Sequence, residues 1–462
     1  MNTAAEAPAG AGSTSAASVR AMAAEAKVAS RELAPLAESR RNAVLEAMAR
    51  AVEAAGEELL QANLQDVRAA EISGDLPPAT TARLKLDAAK LREMAEQMRA
   101  VAQLTDPLGR VLDAVEMDDA PPQWTENVHR GPRGGGLRMQ KVSVPLGVLA
   151  VIFEARPDAV TQIAALAMKS GNAVILKPGR EVERTAAVLV RVLREALARE
   201  ALSPAAISLV LGRESVVELL NLYGLVDMVI PRGSRELVEF VQANTRIPVL
   251  GHAEGVCHIY VDQAADESLA LRVIDDAKTD YPAACNAVET VLVHRAIAAE
   301  FVPRLALQLR EHSVKLYGDE TVRMLARDFA IAPVEDWHTE YGELALSIGV
   351  VESMEAAMEH IHHYGSAHTE AIITDDLETA ERFLREVDAA SVMHNASTRF
   401  ADGFRYGFGA EVGISTSKLH ARGPVGLEGL TTYKYVVRGH GHLAGDYRGD
   451  KARAFTHKRE AR

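Results

Sequence analysis

One cysteine in this chain lies where a reactive thiol can reach a cleft. Cys285 belongs to the loop segment 281–286, with the sequence YPAACN, just before a predicted strand that begins near Thr290. A loop thiol of this kind is a candidate nucleophile, although a cytosolic cysteine is more often a small buried hydrophobe. The other cysteine, Cys257, lies in the apolar stretch 256–260 and is predicted to be buried. Covalent chemistry would therefore depend on Cys285.

Two other loops have the composition of nucleotide-binding turns. Residues 230–234 (IPRGS) end one predicted strand and start a helix, so Gly233 and Ser234 can present backbone N–H groups to a pyrophosphate. Residues 177–180 (KPGR) end another predicted strand and place Lys177 and Arg180 where the adenosine ribose of a dinucleotide would lie. Each loop is equally consistent with a capped helix start and solvated charges. A Gly-x-Gly-x-x-Gly fingerprint after a strand is missing from the sequence, which argues against an ordinary Rossmann dehydrogenase.

The remaining composition excludes several classes of function. The chain has 15 histidines, but their spacing predicts no metal site, and His360, His362 and His363 are predicted to lie on a solvated helix face. Two cysteines make no disulfide framework, which favours a reducing, cytoplasmic compartment. A net charge of −13 without blocks of Lys or Arg argues against nucleic acid as a partner. No apolar run is long enough to span a membrane, so no membrane association is predicted.

The hydrophobic pattern predicts the elements that position these residues. Apolar side chains recur at helical spacing between residues 19 and 103, with a break near 73–78, which predicts three or four helices. Residues 113–136 are rich in proline and glycine and are predicted to form a long surface loop. Strands are then predicted at 148–153, 173–177, 207–211, 226–230 and 248–250, with helices at 160–169, 183–199, 214–222 and 234–244. A second set of strands is predicted at 257–261, 290–293, 348–351, 370–374 and 391–394.

This alternation of strands and helices predicts an α/β fold with parallel, doubly wound sheets. A chain of 462 residues exceeds the size of one hydrophobic core, so two domains are expected, one for a cofactor and one for catalysis. Residues 1–18 contain mostly Ala, Gly, Ser, Thr, Pro and Glu and are predicted to form a disordered tail.

Five segments resemble the γ-glutamyl phosphate reductase family of the aldehyde dehydrogenase superfamily, also called glutamate-5-semialdehyde dehydrogenases. They are 144–148 (VPLGV), 154–157 (EARP), 255–262 (GVCHIYVD), 395–400 (NASTRF) and 420–424 (HARGP), and the match runs from about residue 19 to 437. The resemblance implies an aldehyde-dehydrogenase-like fold with a parallel-sheet cofactor domain, an α/β catalytic domain and a β-hairpin oligomerisation appendage. It places the cofactor domain at 19–113 and 144–252, the catalytic domain at 253–425, and the hairpin with the C-terminal segment at 114–143 and 426–462.

The resemblance also implies a reaction. Cys285 matches the catalytic cysteine, whose thiolate attacks the acyl phosphate of L-glutamate 5-phosphate and expels phosphate to leave a thioester. Hydride transfer and collapse of the thiohemiacetal then release L-glutamate 5-semialdehyde, a step of proline biosynthesis. The backbone N–H of Cys285 is the expected oxyanion donor. Arg156 occupies the place of an asparagine in ordinary aldehyde dehydrogenases, and it either donates to the oxyanion or clamps the leaving phosphate. The sequence leaves both roles open.

One missing side chain favours reduction over hydrolysis. Oxidising aldehyde dehydrogenases carry a glutamate upstream of the cysteine, as the base that activates water to hydrolyse the thioester. The matching position here is Gly251, so the thioester can persist until hydride arrives. Neighbouring Glu254 is the residue that could substitute for this base.

Cofactor and substrate contacts follow from the same resemblance. Gly233 and Ser234 match the phosphate-contacting turn, Lys177 matches the adenosine-ribose lysine, and Glu340 falls where a glutamate holds the nicotinamide ribose. Arg180 stands where NAD-preferring relatives have a carboxylate, which favours NADPH. Substrate-binding candidates are Asn395, Ser397 and Glu411, in the loops 395–398 and 409–415. Arg422, in the matching run 420–424, is assigned a structural role or an ion pair within the fold.

Partners and alternatives complete the prediction. The chain is expected to act on a small molecule, to form a homo-oligomer, and to associate with glutamate 5-kinase, because channelling limits the loss of a labile acyl phosphate. The first alternative is a CoA-acylating aldehyde dehydrogenase, which also uses a thioester. The second is a non-catalytic nucleotide-binding protein that assembles with a pathway kinase.

Overall fold

The computed structural model describes residues 16–118, 136–252, 254–450 and 452–459. The predicted tail at 1–18 lies largely outside these residues, and so does most of the predicted surface loop at 113–136.

Helices open the chain, as the sequence predicts. They are α1 (Ala16–Leu33), α2 (Glu38–Ala54), α3 (Gly56–Ser73), α4 (Pro78–Leu84) and α5 (Ala88–Gln103). The sequence predicted three or four, and the additional one is the short α4, which starts on a proline inside the predicted break. Gly74 ends α3 with φ 66°, a left-handed conformation that glycine adopts without strain. Asp87 caps α5 by accepting a hydrogen bond from the Lys90 N–H.

Strands and helices alternate in the next part of the chain. The elements are β1 (Val111–Glu116), β2 (Arg138–Pro145), β3 (Val148–Phe153), α6 (Ala159–Lys169), β4 (Ala173–Pro178), α7 (Glu183–Arg199), β5 (Ile207–Leu209), α8 (Glu214–Leu220), β6 (Met228–Arg232) and α9 (Arg235–Ala243). One sheet has the strand order β5-β4-β3-β6, and β4 and β5 run parallel. The six residues of β3 are all buried, which is why a continuous apolar run predicted this strand correctly. The predicted strand at 248–250 is only an isolated bridge between Val229 and Val249.

A second alternation comes next along the chain. Its elements are β7 (Cys257–Val261), α10 (Glu267–Thr279), β8 (Val288–His294), α11 (Arg295–Glu311), β9 (Lys315–Gly318), α12 (Glu320–Leu325), β10 (Ala332–Pro333), β11 (Ala345–Val351), α13 (Met354–Tyr364), β12 (Thr369–Ile373), α14 (Leu377–Glu386) and β13 (Ser391–His394). The strands form a sheet in the order β10-β9-β11-β8-β7-β12-β13. Its pairings are all parallel among the residues described, as predicted. The sequence analysis did not predict β9 and β10, because these strands are too short to show an alternation of apolar and polar residues.

The remaining strands are antiparallel. They are β14 (Ile414–Ser415), β15 (Gly423–Pro424), β16 (Thr431–Arg438) and β17 (Lys458–Arg459). A sheet of order β16-β2-β1-β17 joins the middle of the chain to its C-terminal segment, and β16 pairs with β2 from Thr431↔Pro145 to Arg438↔Arg138. This sheet fits the predicted hairpin appendage. The predicted loop at 113–136 is wrong at its start, because residues up to Glu116 pair with β2.

The chain divides into two compact units. The first contains residues 1–150, 156–228 and 427–462, and the second contains 151–155 and 229–426. The predicted assignment of a cofactor domain and a catalytic domain, with its boundary after residue 252, stays a prediction. Across the described helices, none combines the length and apolar character that crossing a membrane requires.

Candidate active site

Cys285 lies in a tight turn of the second unit, between α10 and β8. The Ala284 N–H donates to Tyr281 O at 3.1 Å, and the Ala287 N–H donates to Ala284 O at 2.9 Å, so two successive turns surround the cysteine. The Cys285 side chain is half-buried. In the part of the chain that the structure describes, its own N–H makes no backbone hydrogen bond. A half-exposed thiol beside an available donor is suited to attack a carbonyl group and stabilise the resulting oxyanion.

Arg399 holds this turn at both ends. Its Nε donates to Asp280 Oδ2 at 3.2 Å, just before the turn, and its Nη1 donates to Asn286 Oδ1, just after Cys285. Asn286 is also tied by its Nδ2 to Ala401 O at 2.9 Å. Arg399 belongs to the NASTRF segment that carried the family resemblance, but sequence reasoning gave it no role. It acts through the turn rather than on a reacting atom.

Two histidines that the sequence did not single out lie next to Cys285. One potential ligand atom from each of His252, Cys285 and His368 lies within 4.8 Å of the other two. Cys285 precedes β8, His252 precedes β7 and His368 precedes β12, and these strands are neighbours in the order β8-β7-β12. Because the strands are parallel, their amino ends meet at one edge of the sheet and bring the three residues together. The only signal in the sequence is their position just ahead of a strand.

Each histidine is oriented by one ring nitrogen. His252 Nδ1 lies 2.9 Å from Ile414 O, and His368 Nδ1 lies 2.8 Å from Thr369 Oγ1. The two rings meet edge to face with their centroids 4.8 Å apart. His368 is 1% exposed, and its Nε2 has no hydrogen-bond partner among the described residues. The Nε2 atoms are therefore the ones left available for a proton or a ligand.

A glycine connects the cysteine to a carboxylate. A Cβ added to Gly255 would lie 1.9 Å from Cys285 O, so the two backbones are in close contact. The Gly255 N–H also donates to the Glu340 carboxylate, whose pKa is raised by burial. Glu340 lines a cavity of about 610 Å³ together with Arg235, Glu254, Asp336, His338 and Thr339. Gly255 therefore contacts both Glu340, the predicted ribose-binding glutamate, and Cys285, the candidate nucleophile.

The second cysteine is buried, as the sequence predicted. Cys257 is 0% exposed, and its thiol donates to Cys285 O at 3.2 Å. Burial raises the pKa of the Cys257 thiol well above its ordinary value, which keeps it protonated and able to donate. Cys257 therefore supports the turn through its hydrogen bond to Cys285 O. Of the two cysteines, Cys285 has the exposure that a nucleophile needs.

A buried ion pair lies under the same region. Lys278 Nζ is 2.7 Å from Glu289 Oε2 and 3.0 Å from Val288 O, and both side chains are almost fully buried. Burial raises the pKa of Glu289 and lowers that of Lys278, while their mutual attraction opposes both shifts. The other carboxylate oxygen of Glu289 accepts from the Gly342 N–H at 3.3 Å. The pair therefore joins the end of α10, the start of β8 and the segment that carries Glu340.

The predicted substrate residues lie in different places. Both ends of the Asn395 amide bond to the Thr374 backbone at 3.0 Å, at the carboxyl end of β12. For a five-residue strand this is roughly 16 Å from the amino edge that carries His368, so the structure does not place Asn395 beside Cys285. Ser397 is 5% exposed, and its Oγ accepts from the Arg399 N–H at 3.4 Å.

Glu411 has the electrostatics of a binding residue. Its carboxylate is half-buried and accepts from the Gly403 N–H at 2.9 Å. Burial raises the pKa of Glu411 to about 7, against that hydrogen bond and the attraction of Arg232 and His252. The interaction with His252 places this carboxylate near the cluster around Cys285.

The predicted phosphate turn already holds an internal carboxylate. Ser234 begins α9 and caps it by accepting from the Leu237 N–H, and its own N–H donates to Glu154 Oε2 at 2.9 Å. A Cβ on Gly233 would lie 2.3 Å from the same oxygen. Glu154 thus occupies the position that an anion takes at a helix N-terminus, and a pyrophosphate would have to share or replace it.

The first unit contains the other predicted nucleotide and phosphate contacts. Lys177 is 6% exposed and donates to Pro178 O at 2.6 Å, so its charge is directed at the end of β4. Arg180 is exposed at the start of a 3-10 turn. Arg156 is exposed just ahead of α6, and its carbonyl accepts from the Ala159 N–H at 3.2 Å.

The histidines of α13 only partly match their prediction. His360 is not solvated as predicted: it packs against Trp337 and Tyr364 with centroids 4.8 and 4.6 Å away, and burial lowers its pKa to about 3. The Trp337 and Tyr364 rings cover it, which a helical pattern cannot reveal. His362 and His363 are exposed, as predicted.

Two charged residues with open roles make ion pairs. Arg422 Nη1 lies 2.8 Å from Asp388 Oδ1, which is the ion pair within the fold that the sequence left open. Glu254 makes an ion pair with Arg235. Both side chains are therefore engaged within the second unit.

Comparison with known proteins gives first the class and then individual relatives. The model of the aldehyde dehydrogenase family matches residues 4–337. The γ-glutamyl phosphate reductase of Cyanothece sp. is 53% identical over 430 residues, which cover 93% of this chain and 95% of that protein. γ-Glutamyl phosphate reductase 1 of Synechocystis sp. is 52% identical over 432 residues, covering 94% and 96%. The chain therefore belongs to the γ-glutamyl phosphate reductases of the aldehyde dehydrogenase family.

Solved structures agree with this. The crystal structure of γ-glutamyl phosphate reductase from Thermotoga maritima has a TM-score of 0.86 at 37% identity and covers 92% of this chain and 99% of that one. An acetylating aldehyde dehydrogenase from Geobacillus thermoglucosidasius has a TM-score of 0.63 at 18% identity and covers 93% and 98%, which shows a shared fold. The aldehyde-dehydrogenase-like fold predicted from the sequence is confirmed. Members of this family use nicotinamide cofactors.

Proposed function

We propose that this chain reduces L-glutamate 5-phosphate to L-glutamate 5-semialdehyde and phosphate, with NADPH as the reductant, in proline biosynthesis. The observation that carries the proposal is the contact series Glu340–Gly255–Cys285 in a chain 53% identical to a γ-glutamyl phosphate reductase. It joins Glu340, the carboxylate proposed to bind the nicotinamide ribose, to the half-buried thiol of Cys285. A CoA-acylating activity is less well supported, because the acetylating aldehyde dehydrogenase shares only 18% identity.

The first step is acyl transfer to sulfur. The Cys285 thiolate attacks the acyl carbon, a carbon–sulfur bond forms, and the carbon–oxygen bond to phosphate breaks to leave a thioester and inorganic phosphate. The thiol proton needs an acceptor, and an imidazole nitrogen of His252 or His368 is the available base in the cluster. The N–H of Cys285 stabilises the oxyanion in the addition step. Arg156, in the first unit, is proposed either to donate to the oxyanion or to hold the leaving phosphate.

The second step is reduction of the thioester. A nicotinamide cofactor, when bound, would supply the hydride that reduces the thioester. The residues that would hold it fit the group: Glu340 presents a carboxylate in a cavity of about 610 Å³, a volume typical of small-molecule sites. The N–H groups of Gly233 and Ser234 are proposed to contact the pyrophosphate once the Glu154 carboxylate, which now accepts from Ser234, gives way. In the first unit, Lys177 is proposed to contact the adenosine ribose and Arg180 the 2′-phosphate, which would favour NADPH.

Protection of the thioester from water is the feature that separates reduction from oxidation. Gly251 provides no carboxylate at the position of the hydrolytic base. Glu254, the alternative base, has its carboxylate engaged in an ion pair with Arg235. Phosphate rather than water is therefore the expected acyl acceptor in the reverse reaction.

The glutamyl end of the substrate needs complementary charges. Glu411 is proposed to bind the α-ammonium group, because a cation favours the ionised form of a carboxylate whose pKa burial has raised. Asn395 and Ser397 are proposed to bind the substrate by shaping the loop 395–398. Asn395 is bonded to the Thr374 backbone and Ser397 to the Arg399 backbone.

The proposal includes a homo-oligomer that works in the cytoplasm. The strand β16 lies at the edge of its sheet, and Tyr433, Tyr435 and Val437 on it are 46%, 59% and 55% exposed, a surface that a second copy could cover. Cys257 and Cys285 are both free thiols, consistent with a reducing compartment. Association with glutamate 5-kinase is proposed on chemical grounds, since it would shorten the exposure of the acyl phosphate to water.

Replacing the nucleophile tests the mechanism. Cys285→Ala is expected to abolish turnover while leaving NADPH binding intact, because the thiol makes the covalent bond and is not a cofactor contact. Turnover is followed by NADPH absorbance and binding by cofactor fluorescence. Cys257→Ser is the matched control, since serine keeps a donor for Cys285 O and the variant should turn over. Full activity in Cys285→Ala would contradict the thioester route.

A further inference from the structure

The three side chains at the amino edge of the second unit's sheet have the composition of a zinc site. His252, His368 and Cys285 offer two imidazole nitrogens and one sulfur, all within 4.8 Å of one another. Zinc prefers this combination of ligands, and three protein ligands leave its fourth position open. We propose that His252, His368 and Cys285 bind one zinc-like divalent cation, which competes with the acyl substrate for the Cys285 sulfur.

The orientation of both rings supports this assignment. A histidine that binds zinc usually has its other ring nitrogen fixed by an oxygen atom. Here Ile414 O fixes His252 Nδ1 at 2.9 Å, and Thr369 Oγ1 fixes His368 Nδ1 at 2.8 Å. His368 is 1% exposed, and its Nε2 is a buried polar atom without a partner among the residues described. A buried nitrogen in that state is costly unless something binds it, and a cation shared with Cys285 would satisfy it.

The required movement is small. With zinc–ligand distances of about 2.0–2.3 Å, two ligand atoms on a tetrahedral ion are roughly 3.3–3.8 Å apart. The 4.8 Å limit therefore requires the side chains to close by roughly 1 to 1.5 Å at most.

The consequence for activity rests on the proposed function of Cys285. A sulfur that coordinates a cation has its electron pair engaged and does not attack an acyl phosphate. Zinc should therefore inhibit turnover, substrate should protect against it, and a chelator should reverse the effect.

Cobalt(II) provides a direct test, because a thiolate bound to cobalt gives a charge-transfer absorption in the near ultraviolet. Titration of the full chain without substrate should give this band with one equivalent of cobalt, and zinc should displace it. Cys285→Ser should lose the band. His252→Gln and His368→Gln should each weaken cobalt binding by at least about tenfold. Cys257→Ser and His363→Gln, which change the other cysteine and an exposed histidine, should keep the band.

Circular dichroism and thermal melting show whether each variant is folded. His252 is only half-buried, so His252→Gln keeps the test decisive if replacing the buried His368 prevents folding. The metal site is overturned if the wild-type chain gives no thiolate band, or if the band survives loss of the histidines. If cobalt gave the thiolate band with one equivalent but turnover were undiminished, the cation would not compete with the acyl substrate. That result would also refute Cys285 as the nucleophile. Absence of the band with normal turnover would refute the metal site alone.

Discussion

Gly255→Ala should disable the enzyme by displacing Cys285. The Cβ of alanine would lie 1.9 Å from Cys285 O, whereas real Cβ atoms essentially never approach closer than 3.0 Å. The turn must therefore retreat by at least 3.0 − 1.9 = 1.1 Å. A displacement of about 1 Å at a reacting group costs on the order of 100-fold in rate, or about 2.7 kcal/mol of transition-state stabilisation. The Gly255 backbone is not in the left-handed region, so the effect comes from contact rather than from backbone strain.

Two measurements on the purified variant separate displacement from unfolding. The first is kcat/KM for glutamate semialdehyde, NADP⁺ and phosphate, expected to fall about 100-fold. The second is thermal melting, since overpacking costs typically about 1–3 kcal/mol and leaves a folded chain. Gly251→Ala is the matched control, because its Cβ would lie 3.3 Å from the Pro231 side chain and needs only a small adjustment. A folded Gly255→Ala enzyme with wild-type kcat/KM would refute the view that Gly255 fixes the position of Cys285.

Three further predictions concern charged side chains. Arg399→Lys should lower kcat about tenfold or more, with an unchanged KM for NADPH, because one ammonium cannot hold both Asp280 and Asn286; a wild-type kcat would contradict this. Glu411→Gln should alter stability against pH: burial raises the folded-state pKa of Glu411 from 4.5 to about 7, so the wild type loses stability as pH rises through this window. The variant should not show that loss, which amounts to up to about 3 kcal/mol in the free energy of unfolding. If the free energy of unfolding changed equally between pH 5 and pH 8 in both proteins, the reasoning would be contradicted. Arg180→Ser should raise the KM for NADPH about tenfold and leave that for NADH unchanged, and an equal effect on both cofactors would count against a 2′-phosphate contact.

Much of the fold could be predicted from local patterns. Short β-branched runs gave β3, β7 and β13 with the bounds that the structure has, and helical spacing gave α7. The segment after Asp113 was misjudged because its proline and glycine content obscured the first residues, which pair with β2. The pairing of β1 with β2, which are separated along the chain, gives no signal in the local sequence.

The candidate site was less predictable for the same reason. Cys285 was found from its loop and the family resemblance, but His252 and His368 are 368 − 252 = 116 positions apart in the chain. They meet because β7 and β12 are neighbours, and strand order does not appear in a hydrophobic pattern. Asn395 shows the opposite case, a residue in a matching segment whose amide is bonded to the Thr374 backbone.

The most direct test of the central claim is the reverse reaction with and without inorganic phosphate. Glutamate semialdehyde and NADP⁺ are mixed with the enzyme at mildly alkaline pH, and the absorbance of NADPH is followed. NADPH formation that requires phosphate is expected, because Gly251 provides no base to activate water and the thioester must be resolved by phosphate. NADPH formation at the same rate without phosphate would contradict an acyl-phosphate reductase and would indicate a hydrolytic dehydrogenase with Glu254 as its base.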